Sequence, residues 1–160
     1  MRLYLVQTGE ALPKEKTDFE RPLSDKGRLT VERLASLLST VKLDVKKVIH
    51  SGNVRAQQTL ELLQWAATAT RIALEARSGL NPDDPVEPWV EEIAKWQDDA
   101  VIVGHQPFLG RLASRLVSGR EEPAAVLFVP GTAVCLEKGA AGWSVAWMIP
   151  PGMIPGLGRY

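Results

Sequence analysis

Short apolar runs that end in glycine and polar residues, each followed by a helical pattern, constrain this chain more than any other feature. Leu3-Tyr4-Leu5-Val6 gives way to Gln7-Thr8-Gly9-Glu10. Lys47-Val48-Ile49-His50 gives way to Ser51-Gly52-Asn53, and Val101-Ile102-Val103-Gly104 to His105-Gln106-Pro107. Such runs read as buried strands. Val31, Leu34, Ala35, Leu38 and Val41 recur at helical spacing after Pro22-Leu23, with Ser24 as the N-cap. Ala56, Leu60, Leu63 and Ala67 share one face of a second helix, and Trp89, Ile93 and Trp96 mark a short third. Phe108, Leu109, Leu112, Ala113 and Leu116 mark another, with Pro107 suited to its first turn. Ile72-Ala73-Leu74 is a weak further strand. Strand and helix in alternation predict a parallel sheet covered by helices.

The character then changes. Val126–Val129, Thr132–Leu136 and Trp143–Ile149 are three strand candidates separated by turns at Pro130-Gly131 and Gly139–Gly142. Turns that short join antiparallel strands. Period-two alternation places Trp143, Val145, Trp147 and Ile149 on one face of the last strand. The expected fold is an α/β three-layer sandwich: a mainly parallel central sheet flanked by helices, with antiparallel C-terminal strands. Residues 1–149 form one domain, and 150–160 are an irregular Pro/Gly-rich tail.

Composition narrows the function classes. Lys+Arg and Asp+Glu are 19 each, so no global positive field exists to hold nucleic acid or an anionic membrane. The single cysteine, Cys135, cannot close an intrachain disulfide and reads as a small buried hydrophobe. Two histidines with one cysteine are a poor metal-ligand set, and no metal or cofactor is expected. Neither Gly-x-Gly-x-x-Gly nor a P-loop is present, and no Gly-x-Ser-x-Gly elbow. The first apolar run is too short for a signal peptide or membrane span, which predicts a cytoplasmic protein.

Ligands of open α/β sheets bind outside the carboxyl ends of the strands. Three such ends here gather both histidines and Arg55 on one rim. Helix N-termini there offer free N–H groups to a phosphate, and Arg55 can grip its oxygens in bidentate fashion. His105 can donate to it, and Gly9 and Gly104 permit close backbone approach.

These segments resemble the histidine phosphatase superfamily in order and spacing over nearly the whole chain. Leu5-Val6-Gln7-Thr8-Gly9-Glu10 is similar to its opening strand followed by Arg-His-Gly-Glu. Arg21-Pro22-Leu23-Ser24-Asp25-Lys26-Gly27 is similar to Arg-Pro-Leu-Thr-x-x-Gly. The run from Ser51 to Thr59 resembles Ser-x-x-x-Arg-Ala-x-x-Thr, and Gly104-His105-Gln106-Pro107 resembles Gly-His-x-Pro. The short length and lack of a cap insertion point to the phosphohistidine phosphatase branch, the SixA type. The resemblance implies a phosphoglycerate-mutase-like fold. It also implies a histidine nucleophile that forms phosphohistidine, with arginines and a second histidine holding the phosphoryl group. Arg55 and His105 match those roles. Thr8 stands at the nucleophile position and Gln7 at the first arginine position. A threonine hydroxyl is a weak nucleophile without an activating base. Gln7 keeps donors but no charge.

The expected phosphate contacts are Gln7, Gly9, Arg21, Arg55 and His105, with Thr8 and His105 as the catalytic positions. Asp18 and Arg21 lie in the long first loop and read equally as site or surface residues, Asp18 as a proton donor in the first case. His50 reads as a structural hydrogen-bonding residue, and Asp83 and Asp84 as a plain polar turn. Two functions follow: a weakened phosphatase of phosphohistidine or a small phosphomonoester, or a pseudophosphatase that binds without cleaving. Either takes phosphate or a phosphohistidine-bearing protein as its ligand.

Overall fold

The computed structural model describes residues 1–13, 17–41, 43–63 and 72–157. Its strands are β1 (Arg2–Gln7), β2 (Val45–His50), β3 (Ala73–Ala76), β4 (Asp99–Gly104), β5 (Ala133–Gly139) and β6 (Gly142–Ile149). Its helices are α1 (Asp25–Ser39), α2 (Val54–Leu63), α3 (Glu87–Ile93) and α4 (Phe108–Ser118). The strands form one sheet in the order β3-β2-β4-β1-β5-β6. β1, β2, β3 and β4 pair in parallel, whereas β5 pairs antiparallel with β1 and β6 with β5.

Alternation along β1 builds the layers. Leu3 and Leu5 face a core closed by Trp89 and Ile93 of α3 and by Phe108, Leu109 and Leu112 of α4. Tyr4 and Val6 face a second core closed by Val31, Leu34 and Leu38 of α1 and by Ala56, Leu60 and Leu63 of α2. The central strands are therefore apolar on both faces, as a sheet buried between two helical layers requires. This is the predicted three-layer architecture.

Ser24 caps α1, its Oγ accepting from Gly27 N at 3.0 Å. Helix α1 stops at Ser39, so Val41 falls beyond its last turn and is exposed. The predicted helical position Ala67 lies outside the described residues. The third strand sits later than its apolar letters suggest: Ala73–Ala76 pair with Lys47–His50, while Ile72 precedes the ladder. The tail is partly ordered: Pro151–Met153 form a 3-10 turn, Ile154 is buried in the α1–α2 core, and Arg33 Nη1 donates to Pro155 O at 3.1 Å.

Two expectations at the C-terminal end fail. Val126–Val129 joins no ladder, although it alternates buried and exposed residues as a strand would. Val126 and Phe128 instead bury against the α3–α4 core. Trp143 and Trp147 do not share a face. A β-bulge shifts the β5–β6 register, pairing Leu136 with Val145 but Cys135 with Trp147. The extra residue, Ala146, inverts the alternation. Trp143 packs against the α3–α4 core and Trp147 against the α1–α2 core, where its ring lies 5.8 Å from that of Tyr4.

Candidate functional site

Because β2, β4 and β1 are neighbours in one parallel register, their carboxyl ends open side by side. A pocket of about 380 Å³ lies there. Gln7, Thr8, Gly9, Arg21, Arg55 and His105 all line it, together with Glu10 and Asp18. Asp83 and Asp84 do not. Asp84 Oδ2 accepts from Asn81 N at 2.8 Å within its own turn.

One half of the pocket is ionic. A 3-10 turn at Asp18–Glu20 brings Asp18 over the start of α2. Arg55 Nη1 donates to Asp18 O at 2.7 Å and Nη2 to Asp18 Oδ2 at 3.1 Å. Arg21 Nη1 donates to Asp18 Oδ1 at 3.1 Å, and Arg21 Nε to Leu12 O at 2.9 Å. The Arg55 side chain is 8% exposed and that of Asp18 45%. Burial pushes the Asp18 carboxyl upward, but hydrogen bonds from Arg21 and Arg55 outweigh it and hold it below the usual carboxylate range. Asp18 is thus ionised at neutral pH and bridges two arginines; it is neither a protonated donor nor a bare surface residue. Glu10 turns its charge to the start of α1, meeting Ser24 Oγ at 3.0 Å and Lys26 Nζ at 3.3 Å.

The other half is uncharged. Thr8 is buried at the end of β1, its N–H donating to Gly104 O at 3.0 Å and its carbonyl accepting from Gly131 N at 3.1 Å. Gln7 Oε1 is buried without a hydrogen-bond partner among the described residues. Leaving such an acceptor unpaired costs about 1–3 kcal/mol. The N–H of Gly9 donates to Thr59 Oγ1 at 3.3 Å, and a β-carbon there would sit 2.8 Å from Gly27 O. Gly9 therefore lets the strand-end loop close on α1, rather than freeing an N–H for a ligand. Gly27 is held reciprocally, since a β-carbon on it would collide with Glu10 O.

His105 follows β4 and is 4% exposed. Its Nε2 lies 2.7 Å from Ser51 Oγ and 3.2 Å from Asn53 Nδ2. Burial first, then the positive charge of Arg55, pushes its pKa down to about 4, only partly opposed by Asp18. The ring is neutral at pH 7. His50 sits apart from the pocket lining, where Gly52 N donates to its Nδ1 at 3.2 Å and burial also lowers its pKa.

Sequence reasoning did not find Ser51 and Asn53 as partners of His105. Asn53 carries one available signal, a residue type that starts helices, and its carbonyl accepts the first bonds of α2 from Ala56 N and Gln57 N. Among the described residues no group of three His, Cys, Asp or Glu side chains could hold a metal ion. No helix among them is long and apolar enough to cross a membrane.

No protein-family model matches the chain. An uncharacterized protein of Picosynechococcus sp. is 31% identical over 126 residues, covering 75% of each chain. The mitochondrial serine/threonine-protein phosphatase Pgam5 of Drosophila mojavensis is 27% identical over 133 residues, and the match spans 45% of that protein. A protein histidine phosphatase SixA, solved with tungstate, superposes with a TM-score of 0.81 at 20% identity, over 94% of this chain and 97% of that one. The alpha-ribazole phosphatase of Shigella flexneri superposes with a TM-score of 0.75 at 18% identity, over 94% and 97%.

Proposed function

The chain belongs to one family with the Picosynechococcus protein and has the histidine phosphatase fold, and from this premise we propose that its pocket binds a phosphoryl group. The ligand is phosphate, a small phosphomonoester or a phosphohistidine-bearing protein. One observation carries the reading: the buried Arg55 guanidinium, with Arg21, already grips an oxyanion, the Asp18 carboxylate, at the pocket wall. Arg55 gives that carboxylate one N–H and Arg21 another, and guanidinium N–H groups so placed suit a phosphoryl group as well.

Hydrolysis is strongly weakened. Thr8 stands where a phosphatase of this fold would carry its histidine, and a hydroxyl needs a base. His105 is the one imidazole in the pocket lining, and its Nε2 is already engaged by Ser51 and Asn53. That engagement favours the second reading, a non-catalytic binder.

Turnover of a phosphohistidine peptide by the unaltered protein, by Thr8→His and by Arg55→Ala tests the proposal, alongside a thermal-shift titration with phosphate and vanadate. The expected result is a ligand-induced rise in Tm in the unaltered protein, absent in Arg55→Ala, with turnover appearing only in Thr8→His. Identical, flat titrations for the unaltered protein and Arg55→Ala would remove the phosphoryl site. Turnover by the unaltered protein above the Arg55→Ala background would remove the non-catalytic reading.

A further inference from the structure

We infer that Asn53, with Ser51 beside it, is a positioning residue that keeps the ring proton of His105 on Nδ1, so that His105 faces the pocket as a donor and not as a nucleophile. The role toward a ligand rests on the phosphoryl reading above; the position of the proton does not.

Donors and acceptors around Nε2 set where the ring proton sits. An amide NH2 only donates, and Asn53 presents Nδ2 to Nε2 at 3.2 Å. A proton on Nε2 would set donor against donor at that contact. Ser51 Oγ, 2.7 Å away, rotates its hydroxyl to suit either form, so it strengthens the choice without making it. Asn53 decides. The ring carries one proton at neutral pH, and with Nε2 accepting, that proton sits on Nδ1. Nδ1 has no partner among the described residues, yet the buried side-chain atom lacking a partner there is Gln7 Oε1. Nδ1 therefore keeps contact with solvent, and the open space that His105 lines is the pocket.

His50 shows the opposite arrangement one strand away. Its Nδ1 accepts from Gly52 N, which leaves the proton on Nε2. The two histidines thus carry opposite tautomers, each fixed by one neighbouring donor. The charges acting on His105 are Arg55, which disfavours a second proton, and Asp18, which favours it more weakly.

The consequence for chemistry is specific. Phosphoryl transfer to an imidazole needs a free lone pair aimed at phosphorus. The lone pair of His105 on Nε2 is directed at Ser51 and Asn53, and the nitrogen open to the pocket carries a hydrogen. A phosphoryl oxygen accepts from that N–H without covalent exchange.

The test is nitrogen-resolved NMR of the histidine rings in the ligand-free protein at neutral pH, repeated for Asn53→Asp. Aspartate caps helices as well as asparagine, so α2 keeps its start while the donor becomes an acceptor. The expected result is protonated Nδ1 and bare Nε2 on His105 in the unaltered protein. In Asn53→Asp the proton moves to Nε2 and the pKa of His105 climbs from about 4 toward the ordinary 6.5. Vanadate affinity of that variant falls about tenfold above its new pKa, as loss of one donor predicts. The spectrum of His50 stays as it was. A proton on Nε2 in the unaltered protein overturns the inference, as does an Asn53→Asp spectrum unchanged at His105. Ligand-free spectra answer this whether or not vanadate binds, so failure of the phosphoryl reading is seen separately in the thermal-shift titration.

Discussion

The two halves of the pocket solve the same problem in opposite ways. At the start of α2 and the first loop, charge is present and partly neutralised: Arg21 and Arg55 share the one Asp18 carboxylate. At the ends of β1 and β4, charge is absent: Gln7, Thr8 and a neutral His105 offer only dipoles and donors. An entering oxyanion therefore gains less from the first half than two arginines alone would give, because Asp18 competes for them. It gains from the second half without competition, through weaker contacts. Counting cations around a pocket therefore overstates its pull on an anion.

Arg55→Ala removes the buried cation of the ionic half and has the largest expected effect. Removing a buried guanidinium that holds an anion costs several kcal/mol, so phosphate or vanadate affinity by calorimetry is expected to fall about a thousandfold. Next comes pH, which probes the uncharged half. His105 binds its proton near pH 6.5 when unfolded and only near 4 when folded. Between those values the unfolded chain holds a proton that the folded chain lacks. Stability is therefore full above the higher value and declines as pH falls toward the lower, by roughly 3 kcal/mol at most. Urea unfolding across that window measures it, and His105→Gln flattens the slope. Asp18→Asn sharpens the ionic half. With the resident negative charge gone and both arginines freed, anion affinity rises about tenfold; a fall would mean that Asp18 orients the arginines rather than competing with the ligand. Arg21→Ala is the smallest change. Its partly exposed guanidinium is screened, and a drop of about threefold, shrinking with added salt, is expected.

Much of the fold was legible because both periodicities were strong. Leu3 to Val6 and Val101 to Gly104 are apolar runs too short for a helix and closed by glycine and polar residues, which read as buried strands, and the order of elements then left few topologies. The pocket location was legible for the same reason: parallel strands end on one rim. What the letters could not carry was contact. Nothing in the spacing brings Asn53 to His105 or Asp18 to Arg55, because both contacts cross between elements whose relative height depends on packing. Val126–Val129 misled for a related reason. Its apolar letters are those of a strand, but Val126 and Phe128 use them against the helices of the α3–α4 core and not in a ladder.

The bulge at Ala146 bears on how this chain is read beside its relatives. A strand is a message in frame, each letter assigned to one side by counting in twos. One inserted residue resets the count midway through β6. Aligned against a relative without that insertion, the residues beyond it would match letter for letter and still point to opposite sides of the sheet. Matched tryptophans would then be homologous in text and unrelated in surroundings. An exchange of β6 between such proteins would transplant the right words in the wrong phase.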